Sequence, residues 1–194
     1  MSAIKSSDLI SVEDYLTGEL NSDIKHELID GYVYAMAGAS ANHERISVNV
    51  LKKFANHLDN TPCEPFGSDM KLRINANFFY PDVMVDCHFD ESQPYFTETP
   101  LIIVEVLSKS TRKKDTTLKL LSYINIPNLQ EYVLIEQDFV NVQVFRRSEN
   151  WLVKHYFLGD ELTLQSIALT LSVAEIYHRV QNDDMVEFLA NNKS

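Results

Sequence analysis

The chain lacks any apolar run approaching the about 18 to 20 residues that cross a bilayer, and its opening, MSAIKSSDLISVEDYL, lacks the apolar core of a secretory signal. No membrane contact is expected, and a cytoplasmic location is. Cysteine is nearly absent. Cys63 and Cys87 are far apart, with no second cysteine near either, so neither a zinc knuckle nor a disulfide framework is indicated and both are expected as reduced, packed thiols. There is no internal repeat, no low-complexity tract and no linker rich in Gly, Pro or Ser. A length of 194 residues with 45% hydrophobic content then fits one domain spanning 1–194. Positive charge is also scarce. A net charge of −11 argues against a protein that grips nucleic acid over a wide surface, because such binding is mainly phosphate neutralisation by Lys and Arg.

What is present is a dense pattern of secondary-structure signals. SVEDYL begins with a Ser-x-x-Asp start, which predicts a short helix over 11–20. Asp30-Gly31 lies between two apolar-rich runs, a strong hairpin signal. Ile46, Val50, Phe54 and Leu58 recur every four residues, the stripe of an amphipathic helix packed on a sheet. DMKLRIN, YPDVMVDC and LIIVEVLS read as strands, TTLKLLSYIN as a helix that stops before Pro127, and EYVLIEQ, VNVQVFRR and WLVKHYFL as further strands before a closing helix at SVAEIYHRV. The order α-β-β-α-β-β-β-α-β-β-β-α predicts an α/β or mixed α+β fold, a mixed β-sheet flanked by helices.

Two carboxylates interrupt this apolar pattern. Glu105 sits inside LIIVEVLS and Asp82 opens the strand DVMVD, and burying a carboxylate costs several kcal/mol unless it is compensated. Alternation puts Asp82 on a face with Met84 and Asp86, and Glu105 on a face with Leu101, Ile103 and Leu107. If the strands are neighbours, the two acids need a shared proton or a cation, and a hard divalent ion such as Mg²⁺ or Mn²⁺ satisfies both. The simpler reading of either acid is a strand-end carboxylate paired with Lys or Arg. Lys109, Arg112, Lys113, Lys114 and Lys119 follow within eleven positions, as a solvated basic loop or as a rim for phosphate.

YPDVMVD followed by LIIVEVLSKSTRKKDTTLKLLSYINIPNLQEYVLIEQ, with HELIDGYVYAMAGASANHERI upstream, resembles the Uma-type family of candidate endonucleases, a branch of the restriction-endonuclease-like PD-(D/E)xK superfamily. The resemblance spans about residues 11–147 and implies a restriction-endonuclease-like core, with a β-rich and helical extension after it. Pro81-Asp82 and Glu105 match the superfamily acids, but Leu107 stands where the lysine belongs. The resemblance implies that the lysine has moved to the next helix as Lys119, four residues before Tyr123 and on one face with it and Thr116. There it would hold or help deprotonate the attacking water and offset phosphate charge; the alternative is a lysine snorkelling from an amphipathic helix.

The same resemblance implies lesser roles. His43, five residues after Gly38, would reach the metal, against a helix cap or packing residue; Glu27 would orient water, against an exposed hairpin carboxylate. The Val106 carbonyl would be an extra ligand. Apart from the resemblance, Ser108 and Ser110 bracket Lys109 and would donate to phosphate or cap the loop, and Tyr123 joins Ser108, Lys109, Arg112, Lys113 and Lys114 as the expected DNA-contacting set. The implied activity is metal-dependent DNA cleavage with Mg²⁺ or Mn²⁺, by a chain that binds DNA through one focused rim and forms a homodimer. Leu107 and the acidic surface keep a catalytically silent nuclease-like module, for nucleic-acid binding or protein interaction, as the alternative. An assembly protein whose carboxylates are only ion-paired is a third.

Overall fold

The first helix, α1 (Val12–Glu19), starts where the sequence predicts, with the Ser11 side chain accepting from the Asp14 amide at 3.1 Å. The structure is a computed structural model that describes residues 9–192; residues 1–8, part of the stretch inspected for a secretory signal, lie outside the described residues. Strands β1 (His26–Ile29) and β2 (Tyr32–Ala35) form the expected hairpin. Asp30 and Gly31 both take positive φ, 51° and 79°, the geometry a two-residue turn needs to match strand twist. Helix α2 (Ala41–Leu58) is capped by Ser40 and buries Ile46, Val50, Phe54 and Leu58. Each such side chain contributes about 1.5 to 3 kcal/mol relative to exposure.

Strands β3 (Glu64–Gly67), β4 (Lys71–Ile74), β5 (Asn77–Phe79), β6 (Val83–Asp86), β7 (Phe96–Thr97) and β8 (Pro100–Leu107) follow. A helical segment then runs through α3 (Arg112–Lys114), a π-helical turn (Asp115–Lys119) and α4 (Leu120–Tyr123). The chain continues with β9 (Glu131–Glu136), β10 (Val142–Arg146), β11 (Val153–Tyr156), β12 (Glu161–Leu164), β13 (Leu169–Ser172), α5 (Val173–Ile176) and α6 (Asp183–Asn191). Among these, β3, β5, β7, the β12–β13 hairpin and α6 were not anticipated. β5 and β7 are three and two residues long, too short to show a period, and β3 carries Pro65 on a sheet edge. By contrast, ELTL in β12 does alternate buried and exposed, so its signal was present.

The fold is mixed α+β, with mixed sheets flanked by helices. Five strands are ordered β2-β1-β5-β4-β7 and six are ordered β11-β10-β9-β8-β6-β3. β8 pairs antiparallel with β6 and parallel with β9, so the helical segment is the crossover that a parallel pair requires. One face of β8 sends Ile102, Val104 and Val106 into the core formed with α2. The other sends Ile103 and Leu107 into a second core with Phe79, Tyr123 and Tyr132. Burial on both faces explains why β8 and β9 read as continuous apolar runs. Among the described residues no helix is long and apolar enough to cross a membrane.

The thiol expectation is overturned: Cys63 and Cys87 form a disulfide. Antiparallel pairing of Glu64 with Asp86 places the two cysteines opposite one another just beyond β3 and β6. That pairing is invisible without β3. A bond of this kind is at odds with a reducing cytoplasm. Closing a 24-residue separation is worth about 3 kcal/mol in the chain-entropy account. Cys87→Ser, or treatment with reductant, is therefore expected to lower the melting temperature measurably, and unreduced protein should titrate no thiol; two titratable thiols in native, unreduced protein would contradict the bond.

Candidate active site

Register creates the site. Val83 pairs with Val104 across β6 and β8, so Asp82, one step before β6, falls opposite Glu105, one step further along β8. Asp82 Oδ2 accepts from the Val106 amide at 2.7 Å and lies 3.3 Å from His43 Nε2. His43 arrives on the first turn of α2. Burial pulls its imidazole down, but the hydrogen bond and charge of Asp82 outweigh this, and His43 titrates above its ordinary value. Glu105 is only 3% exposed, and its Oε1 accepts from Lys119 Nζ at 2.9 Å and from the Tyr123 hydroxyl at 3.0 Å.

Lys119, itself 5% exposed, ends the π-helical turn. Such turns often mark functional sites. Its ammonium also lies 3.1 Å from Glu27 Oε1 and 3.4 Å from Asp115 Oδ1. Asp115, Lys119 and Tyr123 recur every four residues and share one face of the segment. Leu107, where a strand lysine would stand, is fully buried against Tyr123 and its neighbours. The helix therefore delivers the positive charge that the strand does not.

Charge is unbalanced here. Glu27, Glu105 and Asp115 face Lys119, with Lys114 paired to Glu27, and Asp82 adds its charge beside Glu105. Burial pushes the Glu105 carboxyl well up, Lys119 pulls it back, and Asp115 and Asp82 push it up again, leaving it well above the usual carboxylate range. Burial also raises Asp115 against the pull of Lys119. For Glu27 the pull of Lys119 and Lys114 outweighs burial, and it sits below its ordinary value. Burial would lower Lys119, but Glu105, Tyr123, Glu27 and Asp115 together hold it well above the ordinary lysine value. It stays protonated.

A second buried acid shows what complete compensation looks like. Glu131 pairs with Arg146 and also accepts from the Gln165 and Ser166 amides and the Ser166 hydroxyl, so both oxygens are occupied. Neither Asp82 Oδ1 nor Glu105 Oε2 accepts any hydrogen bond among the described residues. Those two hard oxygens, with the net negative charge around them, fit a divalent ion. No group of three His, Cys, Asp or Glu side chains among the described residues forms a ready cage, so such an ion would complete its shell with water or backbone oxygen, as Mg²⁺ commonly does.

The expected DNA-contacting set divides. Lys109 and Lys113 are exposed and make no ion pair among the described residues. Arg112 is engaged by Glu136, with Nε donating at 2.9 Å, and lies near Asp138. Lys114 is tied to Glu27 and lies over the Tyr34 ring. Ser108 shares hydrogen bonds with Ser110 and Thr111, which caps the loop. Tyr123 does not reach the surface at all; it is 0% exposed and serves Glu105. Asp115, central to the geometry, was missed, although its four-residue spacing to Lys119 and Tyr123 was available as a signal.

Residues 12–174 match the Uma2 family, described as "Putative restriction endonuclease", and the chain belongs to that family. It is similar to two uncharacterized proteins of Synechocystis sp. One, slr1290, is 39% identical over 173 residues, covering 87% of this chain and 91% of the relative. The other, sll1609, is 34% identical over 172 residues, covering 85% and 97%. The fold is shared with the crystal structure of a putative nuclease belonging to DUF820 from Anabaena variabilis, at a TM-score of 0.73 and 18% identity over 87% of this chain and 97% of that one.

The charge imbalance gives a pH signature. Because folding raises the Glu105 value above its ordinary 4.5, the folded state binds more protons than the unfolded state above that point. Metal-free stability should then fall as pH rises through the elevated value. Glu105→Gln should flatten this slope, read from urea midpoints at about pH 5 and about pH 8; an unchanged slope in the variant would contradict the assignment.

Proposed function

We propose that the chain is a metal-dependent phosphodiester hydrolase that cleaves DNA, using Mg²⁺ or Mn²⁺. The observation that carries this reading is the pair Asp82 and Glu105, opposed across β6 and β8, each with an oxygen free of hydrogen bonds and with a protonated lysine beside them. Asp82 and Glu105 would hold the ion, with the Val106 carbonyl and His43 at the edge of the site. The bound ion supplies a positive charge for the scissile phosphate and lowers the pKa of a water.

The remaining work falls to the chain. Lys119 donates to the attacking water or to a phosphate oxygen and offsets the charge that develops there. Tyr123 fixes the orientation of Glu105, and His43 does so for Asp82. Glu27 holds Lys119 in place while Lys114 balances Glu27. Lys109 and Lys113 meet the DNA backbone, a short rim that suits an acidic protein and gives weak affinity. A homodimer of single-domain protomers offsets that weakness by presenting two rims to one duplex. A silent DNA-binding or interaction module is favoured instead by one observation: Lys119 is enclosed by three carboxylates.

Incubation of purified protein with supercoiled plasmid and Mn²⁺ separates the two. Wild type is expected to nick and Asp82→Ala is not; a wild type that binds Mn²⁺ but leaves plasmid intact is the silent module. Lys119→Met should lower the cleavage rate about 10²- to 10³-fold without losing metal binding. Lys113→Ala should reduce only DNA affinity and its salt dependence. Full cleavage by Lys119→Met would remove the lysine from the mechanism. Added Mn²⁺ should raise the melting temperature by mass action on the folded state, and Asp82→Asn or Glu105→Gln should abolish that rise.

A further inference from the structure

Three carboxylates converge on one ammonium, and one of them is left short. Lys119 Nζ donates to Glu105 Oε1 and lies close to Glu27 Oε1. Glu27 has Lys114 as a second cation, and Glu105 has the Tyr123 hydroxyl as a second donor. Asp115 has only the Thr111 hydroxyl as a further donor, and no second cation among the described residues. Its Oδ1 is sealed from solvent, stands 3.4 Å from the ammonium and accepts no hydrogen bond, in a residue only 2% exposed. The Tyr132 hydroxyl beside it donates to the Asp115 backbone carbonyl, not to the carboxylate. A buried acceptor left unpaired carries its full desolvation penalty, and the ammonium 3.4 Å from this oxygen donates to Glu105 instead.

We propose that Asp115 is the second resting place of the Lys119 ammonium: a divalent ion arriving at Asp82 and Glu105 displaces that ammonium from Glu105 onto Asp115. This rests on the metal-dependent reading above. Lys119 fills the role of the cation beside Glu105 in the present arrangement, and a second cation on the same carboxylate would be repelled by it. Moving the ammonium to Asp115 makes the missing hydrogen bond and frees Glu105 for the ion. The displacement is short, because both acids already lie within 3.4 Å of Nζ. Glu27 keeps its contact with Lys119 throughout, so the lysine remains charged and inside the site. Asp115 is thus a positioning residue, touching neither ion nor phosphate. The π-helical turn, which begins at Asp115 and ends at Lys119, is the element that brings the two together.

Magnesium binding measured by calorimetry on wild type, Asp115→Asn, Lys119→Met and the double variant tests the exchange. Asp115→Asn should weaken Mg²⁺ binding about fivefold or more, and the loss should vanish in the Lys119→Met background, where no ammonium needs relocation. A carboxylate acting only through its charge would cause the same loss with or without Lys119, and that result overturns the proposal. A second readout needs no substitution at Asp115: in lysine-labelled wild-type protein, the Nζ and Cε resonances of Lys119, assigned by their absence from Lys119→Met, should shift on adding Mg²⁺. Resonances that do not move overturn the exchange. Binding that requires Asp82 and Glu105 but ignores Asp115 defeats the exchange alone, whereas a wild type that binds no Mg²⁺ defeats the metal reading and the exchange with it.

Discussion

The contact between the Lys119 ammonium and Glu105 is the interaction on which this site depends. Glu105 lies in the middle of a strand packed on both faces, where an unpaired carboxylate would not be tolerated. Lys119 answers it from the crossover helix, and the π-helical turn sets the angle at which it does so. One ammonium shared among three acids is incomplete compensation. The fully satisfied Glu131 and Arg146 network shows that this fold can neutralise a buried acid completely when only stability is at stake. The deficit at Glu105 is therefore a property of this place and not of buried acids in the chain generally, and it is what a functional site is expected to retain.

Much of this was legible in the sequence because it depends on local rules. The Asp30-Gly31 turn, the Ser11 cap and the four-residue stripe of α2 each follow from neighbours a few positions away. Asp82 opposite Glu105 needed only alternation plus the pairing of two adjacent-looking strands. Lys119 and Tyr123 were placed on one helix face, and both do reach Glu105.

Long-range pairing was less legible. The cysteines are joined through β3, a four-residue edge strand containing proline, and without that strand nothing in the sequence brings them together. The basic run looked uniform, yet Arg112 and Lys114 find acids on β9 and β1, elements distant in sequence, while Lys109 and Lys113 do not. Tyr123 was expected among the DNA-contacting residues; the second core, built from Phe79 and Tyr132, encloses it. Asp115 had the right spacing, but one more acid in a charged loop carries little information until its partner is known to be buried.

In the proposed mechanism Asp82 and Glu105 together hold a divalent cation. Anomalous diffraction from crystals grown with Mn²⁺ tests it directly. A peak is expected at bonding distance, about 2.0 to 2.2 Å, from one oxygen of each carboxylate, with the Lys119 ammonium no longer on Glu105. A fully occupied peak elsewhere, or none with Lys119 still seated on Glu105 at saturating Mn²⁺, would contradict it.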